Sequence, residues 1–217
     1  MQIEAGPILV RTFVLHALLQ RPPTGIDRVD TEILIAAQSH VLQRYHRALF
    51  STLYSEVWGF VHMAKPPLLP FECVDHQCLS PDAIDRDWAY PVTVGTTTML
   101  LQAQVFLRST SSMPSLTQDC DVVVMPVEAH DDGYRYVLSA SGHAQLWELS
   151  TAQPYLAAFA PAKQLVHPND IEAELFARLV ASQLSGQPID PMPPCLAKLA
   201  AWADSAQGFH GASSGAK

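Results

Sequence analysis

Apolar residues recur at steps of three and four between residues 30 and 53. They are Ile33, Leu34, Ala37, Val41, Leu42, Tyr45, Ala48, Leu49 and Leu53. Because an α-helix turns about once every 3.6 residues, this spacing places them on one stripe. Asp27 or Asp30 supplies the kind of N-cap that helices prefer. We predict an amphipathic helix over residues 30–53 whose exposed face carries His40, Arg44 and Arg47.

The middle of the chain has the composition of β-strands. Residues 98–108, 120–128, 134–140 and 143–149 are rich in apolar side chains, and glycine-containing turns (HDDG and SG) separate the last three. Such turns favour tight hairpins, so these segments predict an antiparallel meander. Pro126 lacks the N–H that a strand ladder uses, which predicts that its strand is an edge or contains a bulge.

Other segments complete the predicted elements. Residues 54–63 and 8–19 are interpreted as strands. Asn169 followed by Glu172 matches a capping box, and Gly186 is suited to end the helix that starts there. The last apolar segment, CLAKLAAWA, predicts a short helix that docks through side chains on one face. These are Leu196, Leu199 and Trp202.

The order of these elements predicts an α+β fold. An antiparallel β-sheet, the meander around 98–149, is packed by the long helix of the N-terminal half and by the C-terminal helices. We expect residues 1–186 to form a single domain. Residues 187–207 then form a proline-rich linker and the short docking helix, and 208–217 form a disordered tail.

The charge pattern narrows the classes of partner. Of 217 residues, only 16% are charged, and the formal net charge is −8. An acidic chain does not attract phosphate backbones or anionic membranes, unless basic residues are gathered locally. No apolar run is long enough to span a bilayer, and Glu4 stands where a signal peptide would be basic. We therefore expect a cytoplasmic protein with no membrane association and with reduced thiols at its four cysteines.

The stretch ECVDHQC (72–78) concentrates side chains that bind metals. Cys73, His76 and Cys78 have spacings that one zinc ion can accommodate, and Cys120 is our candidate for a fourth ligand. The other candidates are Cys195, His130 and His143. The alternative is a polar loop whose cysteines pack as small apolar side chains. A catalytic cysteine is disfavoured because Glu72 and Asp75 oppose formation of a thiolate.

The rest of the sequence offers no catalytic constellation. The acidic residues of 75–87 do not match a calcium loop, and the His130-Asp131 pair lies in a predicted turn rather than on a helix. No nucleophile elbow or glycine-rich phosphate loop is present. We assign no catalytic residue and no cofactor, apart from the candidate zinc ion.

These patterns favour an accessory or adaptor protein, or a small subunit of an assembly, that acts through protein–protein contacts. The candidate contact residues are the aromatics that flank the proline-rich stretch: Trp58, Phe60, Trp88 and Tyr90. The alternative is a zinc-stabilised module or metal-dependent enzyme centred on Cys73, His76 and Cys78. A further alternative is a subunit of a nucleoprotein complex, binding nucleic acid through the helix face of Arg44 and Arg47.

Overall fold

The computed structural model describes residues 28–78, 86–108 and 119–211. The strand predicted over 8–19 lies outside these residues. The chain forms two compact units: Met1–Leu53 joined with Glu172–Lys217, and Tyr54–Ile171. Compactness alone does not establish independent folding, so the single domain predicted over residues 1–186 stays a prediction.

The described helices lie at both ends of the chain and around the sheet. They are α1 (Arg28–Tyr45), α2 (Arg47–Thr52), α3 (Phe71–Val74), α4 (Gln153–Ala158), α5 (Pro168–Ser185) and α6 (Pro194–Gly211). A π-helical turn spans Leu53–Val57 and a 3₁₀ turn spans Leu149–Thr151.

The strands form one antiparallel sheet in the unit Tyr54–Ile171. They are β1 (Val61–His62), β2 (Gln77–Cys78), β3 (Trp88–Val94), β4 (Thr97–Leu107), β5 (Cys120–His130), β6 (Gly133–Tyr136) and β7 (Trp147–Glu148). The main path runs β1-β3-β4-β5-β6, while β2 pairs with β4 and β7 pairs with β5. The predicted α+β class is thus confirmed, with an antiparallel sheet that takes in the predicted meander.

Both faces of this sheet are covered within its own unit. On one face, Phe106 of β4 and Met125 of β5 pack with Met63 and Cys73 from the connection before β2. On the other face, Tyr90 of β3 contacts an aromatic cluster that includes residues of α4 and its C-terminal end. The cluster members are Trp58, Phe60, Tyr90, Tyr155 and Phe159.

Pro126 does not lie on an edge strand, contrary to the prediction. It pairs with Leu101 in an uninterrupted register, and β5 has β4 on one side and β6 and β7 on the other. Its carbonyl accepts a hydrogen bond from Val137 N over 2.9 Å, between the β6 and β7 pairings. Because the nitrogen of a strand residue points the same way as its carbonyl, the missing N–H removes only the reciprocal bond to Val137 and leaves the pairing of β5 with β4 intact.

The strand predicted over 54–63 is also largely wrong. The π-helical turn occupies its first residues, and only Val61–His62 pair as strand. Gly59 lies between them with φ +80°, a left-handed backbone conformation that glycine adopts without strain.

The helix predicted over 30–53 forms, but in two segments and with another buried face. The break falls at His46, whose φ of −123° and ψ of 42° are not helical. The side chains of Ile35, Ser39 and Gln43 are buried, whereas four large apolar residues of the predicted stripe are exposed. These four are Ile33, Leu34, Val41 and Tyr45. Residue 35 is about 200° around the helix from residue 33, so the buried face of α1 is centred on Ile35 and shares Leu42 with the predicted stripe.

The predicted C-terminal helices both form. Gly186 follows α5 with φ +65°, and Gln187 N donates to Ser182 O, which is the C-terminal arrangement expected of that glycine. The N-terminus of α5 differs from the predicted capping box. Asn169 N donates to His167 Nδ1, and the side chain of Glu172 is buried. In α6, Leu196 and Leu199 are buried as expected. The ring of Trp202 lies 6.2 Å from that of Phe50.

Candidate functional site

Two large apolar side chains project from the proline-rich segment that precedes β2. Phe71 is 92% exposed and Leu68 is 90% exposed, and Val74 beside them is also exposed. We call these three residues the apolar prong. Single exposed apolar residues are common on protein surfaces, but large ones grouped within seven positions mark a candidate contact site.

The prong belongs to an anchored segment. Phe71 and Val74 are the first and last residues of α3, and Cys73 of the same turn is buried against the sheet. The backbone N–H of Cys73 donates to Pro70 O over 2.8 Å. Anchoring of the turn at Cys73 means that little further conformational entropy is lost when a partner covers Phe71.

Glu72 ties the same turn to a neighbouring hairpin. Its Oε1 accepts a hydrogen bond from Ala144 N over 2.9 Å and lies 3.7 Å from His143 Nδ1. The hydrogen bond from Ala144 N, aided by His143, lowers the pKa of Glu72. The hairpin also exposes Leu138 and Leu146, so two connected segments present apolar side chains to solvent.

The net charge of the protein is concentrated in the unit that carries the prong. Residues 54–171 hold 13 of the 21 acidic residues but only 5 of the 13 basic ones. This excess equals the formal net charge of −8, because the remaining residues contain equal numbers of both signs. A basic surface on a partner would therefore be attracted to this unit.

The aromatic residues predicted to contact a partner lie mostly inside the protein. Trp58, Phe60 and Trp88 are only 4%, 5% and 8% exposed, and Tyr90 is half-buried, with its pKa raised by that burial. Phe60 and Tyr90 stack edge to face with ring centroids 5.1 Å apart. These rings stabilise the core and leave little surface for a partner.

Of the four predicted metal ligands, the structure brings two together. Cys78 Sγ and Cys120 Sγ are 3.9 Å apart. Cys73 belongs to the cluster around Phe106, on the opposite face of the sheet from Val105, with which Cys78 pairs. Among residues 28–78, 86–108 and 119–211, no group of three or more His, Cys, Asp or Glu side chains could hold a metal ion.

The surroundings of these cysteines do not activate them as nucleophiles. Burial, together with the charge of Glu72, raises the pKa of Cys73. Burial and the neighbouring Cys120 thiol raise the pKa of Cys78. A raised pKa lowers the thiolate fraction at neutral pH.

The other candidate ligands have different neighbours. His130 Nδ1 pairs with Asp132 Oδ1 over 3.1 Å in the β5–β6 turn, and Cys195 is buried in α6. His143 lies beside Glu72.

The predicted basic face of the first helix is divided between two helices. Arg44 and Arg47 are both exposed, but they lie on either side of the break at His46. His40 is half-buried, and its Nδ1–H donates to Gln43 Oε1 over 2.9 Å.

A buried carboxylate lies between α1 and α5. Glu172 is 1% exposed, and its Oε2 accepts hydrogen bonds from Ser39 Oγ at 2.7 Å and from Gln43 Nε2 at 2.5 Å. Burial raises the pKa of Glu172 to about 7, against the opposing effect of those two hydrogen bonds. Glu172 was predicted to belong to the cap of α5. The polar spacing of Ser39 and Gln43, one helical turn apart, was the available signal for this contact.

A second buried polar group lies within the sheet. Tyr136 OH donates to Gln102 Oε1 over 2.5 Å and lies 3.3 Å from Gln104 Nε2. Gln77 Nε2 donates to Gln104 Oε1, and Gln102 Nε2 donates to Arg86 O. Burial raises the pKa of Tyr136 well above its ordinary value, so its hydroxyl stays protonated and able to donate.

Comparison with known protein families, with curated proteins and with solved structures finds no match to this chain. Within the described part of the chain, every helix is too short or too polar to span a lipid bilayer.

Proposed function

We propose that this protein is a non-catalytic accessory component of a larger assembly and that the apolar prong is its contact site. The observation that carries the proposal is the near-complete exposure of Leu68 and Phe71, just before and at the start of a turn that is anchored through Glu72 and Cys73. A partner that covers these side chains gains hydrophobic free energy, at about 25 cal/mol per Å² of apolar area removed from water.

The chemistry of the unit favours one kind of partner. The unit is acidic and exposes the aromatic side chain of Phe71 and the aliphatic side chain of Leu68. It therefore suits a protein surface that has an apolar pocket bordered by Lys or Arg. Glu72, Asp75 and Glu148 are exposed acidic residues on the segments around the prong, while Lys65 is an exposed basic residue there. Complementary charge of this kind raises the association rate and lowers it again at high salt.

The proposal is tested with a double variant, Leu68→Ser/Phe71→Ser. A partner that co-purifies with the tagged wild-type chain is purified and its affinity is measured by calorimetry. We expect the double variant to bind at least about tenfold more weakly, which corresponds to 1.4 kcal/mol. Met192→Ser is the control, because Met192 is an exposed apolar residue of the other unit. Equal affinity of all three proteins would refute the proposal.

The alternatives from the sequence analysis differ in their support. The metal-binding alternative is favoured by the pair Cys78 and Cys120, although Cys73 lies on the other sheet face. The nucleic-acid alternative stays a prediction based on Arg44 and Arg47 alone.

A further inference from the structure

Cys78 and Cys120 lie on two strands that flank the same strand. In β4, Val105 pairs with Cys78 of β2 and Leu107 pairs with Cys120 of β5. Val105 and Leu107 point to the same sheet face, and paired residues share a face. Both cysteine side chains therefore approach each other over β4, where their sulfur atoms are 3.9 Å apart.

This arrangement is unfavourable for a disulfide. Neighbouring strands are about 4.8 Å apart, so two strands that flank a third are separated by roughly 9–10 Å. A disulfide needs Cα atoms within about 7 Å and sulfur atoms at about 2.05 Å. The backbone of β2 or β5 would have to leave its pairing with β4 to close that bond.

The same separation suits two thiolates that bind one ion. With a metal–sulfur distance of about 2.3 Å, two sulfurs are about 3.8 Å apart at a tetrahedral angle and about 4.6 Å apart when collinear. The observed 3.9 Å corresponds to an angle of about 116° at the ion, so the two sulfurs must separate by about 0.7 Å further to hold an ion between them in a line. Both cysteines are half-buried, so an ion can reach them from solvent while the sheet keeps them in place.

The neighbouring groups limit the number of ligands. Asp121 follows Cys120, but its Oδ1 accepts two hydrogen bonds from Arg108, at 2.8 Å from Nε and 2.6 Å from Nη2. Arg108 also interacts electrostatically with Cys120, so its positive charge offsets that of a thiolate pair. No third His, Cys, Asp or Glu side chain in the described part of the chain completes a cluster with the two sulfurs.

We infer that Cys78 and Cys120 form a two-thiolate site for a thiophilic monovalent cation, Cu(I). Thiolates are soft ligands that select Cu(I) over hard cations, and Cu(I) accepts two-coordinate sites, whereas structural zinc takes four ligands. The inference does not depend on the proposed contact function, because it involves none of the residues of the apolar prong.

The test is an anaerobic titration of the reduced full-length chain with Cu(I) in competition with a chromophoric Cu(I) chelator. We expect one Cu(I) per chain. Cys78→Ser and Cys120→Ser should each weaken binding at least about tenfold, since even outer partners of a metal site contribute 10–100-fold. Cys195→Ser is the control, because this cysteine is buried in the other unit and should leave the titration unchanged. Circular dichroism verifies that each variant is folded.

X-ray absorption of the wild-type chain loaded with Cu(I) gives an independent readout if a variant does not fold. Two sulfur neighbours and no further ligand are expected. Three outcomes overturn the inference: no uptake of Cu(I), uptake that persists in folded Cys78→Ser and Cys120→Ser, or three or more ligands to the ion. A further contradictory result is rapid formation of a Cys78–Cys120 disulfide in the folded chain treated with a diazo thiol oxidant.

Discussion

Glu72 Oε1 accepts a hydrogen bond from Ala144 N over 2.9 Å and so connects the turn that carries Phe71 to a hairpin more than seventy residues later in the chain. The neighbouring Cys73 is buried in the sheet core. The exposed side chain of Phe71 is therefore presented by a turn with two attachments, one apolar and one polar.

Replacing Glu72 by Ala should loosen this attachment. We expect faster amide exchange at Ala144, because its N–H loses the carboxylate that accepts its hydrogen bond. We also expect weaker partner binding, because the turn that carries Phe71 becomes less ordered. Glu128→Ala is a control, since Glu128 is an exposed carboxylate of β5 that pairs with Arg135 and does not contact Ala144 in the described bonds. Unchanged exchange at Ala144 in the Glu72 variant would contradict the role given to this hydrogen bond.

The hydrogen bond from Ala144 N to Glu72 should depend on pH. The pKa of Glu72 is lowered from its ordinary value of 4.5, so the folded state favours the carboxylate. This contribution is present above pH 4.5 and is lost as the pH falls through the lowered pKa. Hydrogen exchange corrected for intrinsic rates should show Ala144 losing protection only on the acid side of pH 4.5. Loss of protection at pH 5 to 6 would argue against protection of Ala144 by the Glu72 carboxylate.

Glu172 should give the opposite pH dependence. Burial raises its pKa to about 7 from 4.5, so the folded state binds the proton more tightly than the unfolded state. Its contribution to stability is complete below pH 4.5 and is lost as the pH rises through about 7. The free energy of unfolding should fall by up to about 3 kcal/mol across this window, because one pKa unit is worth about 1.4 kcal/mol.

Glu172→Gln isolates this effect. The amide keeps an acceptor for Ser39 and Gln43 but does not ionise, so the variant should be more stable than wild type at pH 8. Urea unfolding at pH 5 and pH 8 measures the difference. Glu174→Gln on the same helix is the control, since Glu174 forms a partly exposed pair with Arg178 at 2.8 Å. The assignment fails if wild type and Glu172→Gln change equally between the two pH values.

The polar group inside the sheet should contribute measurably to stability. Tyr136→Phe removes the hydroxyl that bonds to Gln102 Oε1 and to Gln104 Nε2. Each of these two buried side chains then loses a hydrogen-bond partner. We expect a loss of about 1–3 kcal/mol in the free energy of unfolding. Tyr134→Phe, two residues earlier on β6, is the matched control. A loss no larger than that of the control would mean that the hydroxyl is not required.

The sequence predicted β4, β5 and β6 because these strands have both composition and turn signals, whereas the strand Trp88–Val94 was not predicted. Gly133 and Gly142 have positive φ in the turns that join the last strands, as tight turns need. Gly186 likewise ends α5 as predicted. These are local properties of the chain, so they could be inferred without tertiary information.

The errors arose where tertiary contacts decide the outcome. The buried face of α1 carries Ser39 and Gln43, which donate to Glu172, and hydrophobic periodicity does not detect such a polar contact. The aromatic residues Trp58 and Phe60 are buried because α4 covers their sheet face. The prong was not predicted either. Its apolar residues lie between and beside prolines and show no periodicity from which their exposure could be inferred.

The most direct test of the contact function is photo-crosslinking from position 71 in the living cell. A benzophenone amino acid replaces Phe71, and the same amino acid at Met192 is the control. The account predicts one principal adduct from position 71, with the crosslink in an apolar segment of the partner bordered by Lys or Arg, and its loss when Leu68 is changed to Ser in the same chain. Equal adduct from positions 71 and 192, or none from position 71, would contradict it.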